Sequence, residues 1–238
     1  MVEPSEQEQY INRLRDEFSK EERAFTARKD AEYHDLLRSL GEAVELELQS
    51  FDDLSGLQPN VLERNIHRIA KSIAADGREN ARYYALEALF GGNAFYSGQT
   101  VPLSYEALRI LFDAMPHDSP DGQTMDLIAN AINGRVADLN PGQVADLLSM
   151  FEDKRYTPDD LAVLYIGLQR IRDKSYDERI ASALRAGLRH TETAWTAADG
   201  VRKKGFTALL PDLHRALRLV KDPEIKRVVQ KAITALSK

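Results

Sequence analysis

Hydrophobic and polar positions along this chain follow the period of an α-helix almost throughout. Leu108, Leu111 and Phe112 share one stripe, Leu127, Ile128 and Ile132 a second, and Val144, Leu147, Leu148 and Phe151 a third. Leu161, Leu164, Leu168 and Ile171 form a fourth stripe, and Ile180, Ala183, Leu184 and Leu188 a fifth. Spacings of three and four residues put each set on one helix face, and that face needs a partner to cover it. The run Val44-Glu45-Leu46-Glu47-Leu48 alternates with period two, but it lies inside a longer helical pattern. The pattern therefore predicts an all-α chain without a sheet.

Helix starts are legible as well. Ser119-Pro120, Asn140-Pro141, Thr157-Pro158 and Asp222-Pro223 each place a capping side chain before a proline. The cap oxygen accepts from an orphan N–H of the first turn, and proline at the first helical position gives up a donor that had no partner. Gln143, three residues after Asn140, has the spacing of a capping box. Pairing the helices predicts hairpins at about 59–90, 104–134, 141–172, 176–204 and 206–237, with inner turns near 77, 118, 155, 192 and 222. Hairpins of this length cannot bury their apolar faces alone, so they imply stacked neighbours.

The last of these, over residues 209–236, carries the most specific signal. Leu209, Leu210, Pro211, Leu213, Asp222-Pro223, Ile225, Arg227, Val228, Ala232 and Leu236 resemble a HEAT repeat over about 30 residues. The resemblance implies a proline-bent first helix, an Asp-Pro turn and an aliphatic core between the two helices. It also implies a right-handed α-solenoid of about five antiparallel hairpins over residues 54–238. Residues 1–53 are expected to form a long N-terminal helical arm or cap, as one helix or two meeting near Gly41. Tyr10, Leu14, Phe18 and Phe25 make a thin stripe there; Leu36, Leu37, Leu40, Val44 and Leu48 make a fuller one, expected to cap the first hairpin. Residues 91–103, with three glycines and the aromatic pair Phe95-Tyr96, are expected to form an irregular loop, a candidate contact on the binding face.

Composition narrows the function. Hydrophobic residues at 43% with 29% charged suit a packed globular chain, and no apolar run approaches a membrane span. The start, MVEPSEQEQY, lacks the basic and apolar segments of a secretory signal, so cytoplasmic residence is expected. Cysteine is absent, which excludes disulfides, thiol nucleophiles and thiolate metal sites. The five histidines, His34, His67, His117, His190 and His214, suggest no metal site, and no cofactor is expected. Charge is uneven. Residues 1–166 hold 16 Lys and Arg against 30 Asp and Glu, whereas residues 167–238 hold 16 against 8. In a solenoid this becomes an acidic end and a basic end.

Catalytic signatures are missing from the sequence. Gly91-Gly92 lacks the Lys-Ser/Thr of a phosphate loop, and there is neither a nucleophile elbow nor a His-Glu-x-x-His. Glu42, Glu45, Glu47, Asp52 and Asp53 read as a solvated helix face. The one specific catalytic likeness runs through the HEAT resemblance: some bacterial alkylpurine DNA glycosylases are HEAT-like and use Trp and Asp on groove-lining helices. Trp195 and Asp199 stand one turn apart here, followed by Arg202, Lys203 and Lys204. The simpler expectation makes Trp195 a core residue between hairpins and residues 202–204 a solvated turn. Arg215, Arg218, Lys221, Lys226, Arg227 and Lys231 could extend a basic surface for nucleic acid, or for the acidic region of a second copy. The chain is read as a non-catalytic scaffold or adaptor for protein–protein interaction. The alternatives are a nucleic-acid-binding protein, with glycosylase activity as its enzymatic form, and an acidic inhibitor of the immunity type.

Overall fold

The computed structural model describes residue 20, residues 24 and 25, and residues 27–91, 103–116 and 123–238. Every regular element among them is helical. In chain order these are α1 (His34–Val44), the single turn α2 (Asp52–Ser55), α3 (Pro59–Ala75), α4 (Glu79–Leu89), α5 (Tyr105–Ala114) and α6 (Gln123–Arg135). They continue as α7 (Pro141–Met150), α8 (Leu164–Leu168), α9 (Asp177–Gly187), α10 (Ala194–Lys204), α11 (Leu210–Leu219) and α12 (Pro223–Leu236). The loop aromatics Phe95 and Tyr96, the Ser119-Pro120 cap and residues 1–19, 21–23 and 26 of the N-terminal arm lie outside the described residues.

Helix starts follow local chemistry. Asn140 Oδ1 accepts from Gln143 N at 3.0 Å while Asn140 N donates to Gln143 Oε1 at 2.9 Å, closing the capping box. Asp222 Oδ1 accepts from Glu224 N and Ile225 N ahead of α12. Ser104 caps α5 through Ala107 N. Pro59, Pro141, Pro211 and Pro223 occupy first turns, where a missing N–H costs nothing.

Packing follows one rule along the chain. Odd-numbered helices rest on odd-numbered ones (α1 on α3, α3 on α5, α7 on α9), and even on even from α2 through α4, α6, α8 and α10 to α12. Within pairs, α5 meets α6, α9 meets α10 and α11 meets α12. The predicted stripes supply a continuous core from Tyr33 to Ile233, with Leu40, Ile69, Leu86, Leu108, Phe112, Ile132, Leu147, Leu164, Leu184, Leu213 and Val229 fully inaccessible to solvent. Where apolar contact is thin, side chains bridge successive odd helices. Tyr105 Oη donates to Asp146 Oδ2 at 2.7 Å between α5 and α7, and Arg185 pairs with Asp212 at 3.1 Å between α9 and α11.

Two carboxylates make the same cross-link in both rows. Glu63 of α3 accepts from Ser104 N and from Ser104 Oγ at the start of α5. Glu79 of α4 accepts from Thr124 N at 3.1 Å and from Thr124 Oγ1 at the start of α6. Each places negative charge at the positive end of the helix two elements on. Glu79 also pairs with the buried guanidinium of Arg82.

The N-terminal region departs from the expected pattern. Neither a helix through residue 53 nor a break at Gly41 is present. Helix α1 ends at Val44, because Glu45 takes φ 61° and Leu46 N turns back to Gly41 O at 3.0 Å. Gly41 lies within the helix and is needed for that return: a Cβ there would stand 2.7 Å from Leu46 O. The chain then turns through Gln49 and Ser50, whose N–H groups donate to Asp53 Oδ2, and Phe51 N donates to Asp30 Oδ1 at 3.1 Å. Leu36, Leu37, Leu40 and Val44 are buried, and α1 rests on α3.

A second departure lies after Thr157. Its cap forms, with Thr157 N on Asp160 Oδ2 at 2.7 Å and Asp160 N on Thr157 Oγ1 at 3.2 Å. Residues 158–163 nevertheless run as consecutive turns, and α-helix appears only over Leu164–Leu168. The Asn133 amide of α6 donates to Val163 O at 2.7 Å, so a tertiary partner takes a carbonyl that a continuous helix would use. The apolar spacing is still honoured, since Leu161, Leu164, Leu168 and Ile171 are all buried.

Two substitutions test this packing by urea unfolding. Gly41→Ala gains about 1 kcal/mol of helix propensity but presses a methyl group onto a backbone carbonyl, an overpacking cost of about 1–3 kcal/mol; net destabilisation is expected. Glu79→Ala strands Arg82 and uncaps α6, with an expected loss of about 3–5 kcal/mol, the range for one partner removed from a buried pair. Midpoints at or above wild type would contradict the respective reading.

Candidate functional site

Helix α10 sits where three neighbours converge, in contact with α8, α9 and α12. Its inward face is built from small side chains: Ala194, Ala197, Ala198 and Val201 are each 0% exposed, and Gly200 lies beside them. Small residues let the helix axes approach closely. A Cβ on Gly200 would stand 2.8 Å from Leu184 Cδ2 of α9, and one on Gly187 would stand 2.8 Å from the Tyr165 ring of α8. The inward set follows i, i+3, i+4, i+7 from Ala194. Trp195 falls one step, about 100°, round the helix from it.

Trp195 is accordingly 43% exposed, which overturns its reading as a core residue. Asp199, Arg202 and Lys203 share its face at the spacings i+4, i+7 and i+8. Residues 202–204 belong to the last helical turn rather than to a solvated turn, and Gly205 closes the helix at φ 71°. Cations at that end complement the helix dipole.

The charges on this face are committed to one another. Asp199 Oδ1 accepts from Arg202 Nη2 at 2.6 Å, and its Oδ2 meets Lys203 Nζ at 2.8 Å. Partial burial pushes the Asp199 carboxyl up, but Lys203 and Arg202 outweigh it and hold the group below its ordinary range. Lys204 points elsewhere. Its side chain is 11% exposed, pairs with Asp177 Oδ1 at 2.8 Å and donates to Ile171 O at 3.0 Å, so it ties α10 to the start of α9.

The remaining basic candidates lie on α11, α12 and the turn between them. Arg215 approaches Asp212 only to 3.9 Å, and Arg227 pairs with Glu224 at 2.5 Å in solvent. Arg218, Lys221, Lys226 and Lys231 are exposed and make no ion pair among the described residues. Helices α10, α11 and α12 are contiguous through α12. Trp195 lies off the inward face by which α10 packs, and Phe95 and Tyr96 lie outside the described residues.

A second polar cluster spans α5, α7 and the 151–163 turns. Arg109 donates to Asp146 Oδ2 at 3.2 Å and to Tyr156 Oη at 2.8 Å, and pairs with Asp113. Tyr156 Oη donates to Asp113 Oδ1, while the Arg109 and Arg155 guanidinium groups lie over the Tyr156 ring. Burial, aided by the bond to Asp146, pushes the Tyr105 phenol far up, so it remains a donor. Only the Arg109–Asp113 spacing was readable in sequence, since the other partners are 37 to 47 residues apart. The cluster fastens α5 to α7 and presents no nucleophile with an adjacent base.

Grooves open beside α1 (about 540 Å³; Leu37, Glu42, Leu46, Glu47) and between α3 and α5 (about 570 Å³; His67, Lys71, Ile110, Asp113). No cluster of His, Asp and Glu able to hold a metal lies among the described residues. No helix among them is long and apolar enough to cross a membrane. No family model, characterised protein or solved structure matches this chain.

The Asp199 contacts carry a pH signature. A carboxyl held below its unfolded value stabilises the fold above the ordinary carboxylate range and loses that contribution as pH falls through the folded value. Asp199→Asn is expected to cost about 0.5–1 kcal/mol at neutral pH, a figure discounted for partial exposure. In urea titrations the gap to wild type should close as the solution is acidified. A gap that persists in acid would show that the loss is not electrostatic.

Proposed function

We propose that this protein is a helical-repeat scaffold, a HEAT-like right-handed α-solenoid, whose Trp195 face binds a protein partner. Odd-on-odd and even-on-even packing of successive helices supports the solenoid reading, because it is how stacked hairpins cover their apolar faces. The observation that carries the binding reading is Trp195 itself, a large side chain left 43% in solvent on a helix whose other face is fully buried. Tryptophan is the residue most enriched at interaction hot spots, where its area is buried at low conformational cost. Asp199 pairs with both adjacent cations, Arg202 and Lys203, so one carboxylate against two cations leaves a single net positive charge beside Trp195. That is little attraction for a phosphate backbone, whereas a protein surface needs none.

The same pairing weighs against glycosylase chemistry, since a carboxylate already held by two cations has little field left to stabilise a cationic sugar. A second reading, nucleic-acid binding, is supported by the unpaired Arg218, Lys221, Lys226 and Lys231.

Affinity purification from the native host, with and without nuclease, tests the choice when wild type is compared with Trp195→Ala. Matching thermal melts of wild type and variant check that Trp195→Ala is folded. The expected result is a protein partner retained after nuclease and lost with Trp195→Ala, about 30-fold weaker for a hot spot worth about 2 kcal/mol. Recovery that disappears with nuclease, or a partner indifferent to Trp195→Ala, would contradict the reading.

A further inference from the structure

The first and last elements of the packing order carry complementary surfaces. Beside α1, the groove of about 540 Å³ is bordered by Leu46, which stands 49% exposed directly after the left-handed Glu45. Glu42, Glu47 and Asp52 surround that turn, are exposed, and make no ion pair among the described residues. At the other end, Leu219 stands 50% exposed at the last turn of α11. Arg218 and Lys221 flank it, and Lys226 and Lys231 project from α12, likewise without ion pairs among the described residues.

Each end thus presents one exposed leucine inside a set of unpaired charges, acidic at one end and basic at the other. Elsewhere most charged groups described above are matched within the chain, as at Asp199, Asp212 and Glu79. Exposed charges without ion pairs among the described residues also occur between the two ends, at Arg64, Lys71, Asp138 and Lys174; the ends are set apart by the exposed leucine that each carries within such a set.

We propose that Leu219 and its flanking cations dock into the Leu46 groove of a second copy of this chain. The contact is heterologous, since two different surfaces meet, so its repetition yields an open chain of protomers rather than a closed dimer. Electrostatic complementarity steers the encounter and sets the register, and the two leucines are removed from water together. The Trp195 face takes no part, so this contact stands independently of the partner proposed for it.

Sedimentation velocity on the full chain tests the contact, with Leu46→Asp and Leu219→Asp as variants. Both positions are half in solvent, and matching thermal melts would confirm intact folding. Wild type is expected to sediment faster as its concentration rises at low salt, and to revert to monomer in about 1 M salt, where screening is nearly complete. Each variant alone should remain monomeric. An equimolar mixture of the two should form a dimer and nothing larger, because one intact groove meets one intact tail. Trp195→Ala should self-associate as wild type does. Wild type that stays monomeric throughout would overturn the proposal, as would variants that associate like wild type, or a mixture that fails to pair. A monomer whose Leu219 surface instead binds single- or double-stranded DNA in titration would assign that surface to nucleic acid.

Discussion

The small-residue face of α10 is the constraint on which the C-terminal half depends. Ala194, Ala197, Ala198, Gly200 and Val201 leave no bulk between this helix and its neighbours, so α8, α9 and α12 all close on it. A large side chain has no room on that face, and the chain's sole tryptophan stands about 100° round the helix from it. Close packing within and exposure of Trp195 outside are therefore two consequences of one arrangement. The cations of the last turn follow from it as well, because they face either solvent, with Asp199 as partner, or the start of α9, with Asp177 as partner.

The acidic half of the chain works differently. Its carboxylates are less a surface charge than a set of fasteners between successive helices. Glu63 and Glu79 each reach the N-terminus of the helix two elements on, and Asp146 and Asp113 hold Arg109 between α5 and α7. The Glu63, Glu79 and Asp146 links join residues 37 to 45 apart in the chain, whereas Asp113 meets Arg109 within α5. Carboxylates without ion pairs among the described residues include Glu42 and Glu47, which line the groove beside α1.

Much of this was legible in the sequence, for definable reasons. Helical stripes such as Leu108-Leu111-Phe112 and Ile180-Ala183-Leu184-Leu188 depend only on local period, and all of those side chains are buried. The caps at Asn140 and Asp222 depend on side chains within three residues of the helix start. Features decided by distant partners were not legible. The helix expected after Thr157 loses its first turns to the Asn133 amide, 30 residues away. The N-terminal helix stops at Glu45 because the chain folds back over Gly41 and Arg68 receives Glu45 at 2.7 Å. Trp195 was misplaced for another reason: its size suggested burial, while the spacing Ala194-Ala197-Ala198-Val201 already marked the inward face one step away. Lys204 looked like its neighbours in sequence, and only the approach of Asp177 and Ile171 O distinguishes it.

Trp195, held outward by a close-packed helix, is the sole tryptophan, so its fluorescence reports on that one position. The most direct measurement is iodide quenching of native and urea-unfolded protein, with the emission maximum recorded in each state. An outward Trp195 predicts native emission close to that of the unfolded chain and quenching by iodide without unfolding. Blue-shifted native emission that iodide reaches only after unfolding would place Trp195 in the core, and the proposed binding face would fall with it.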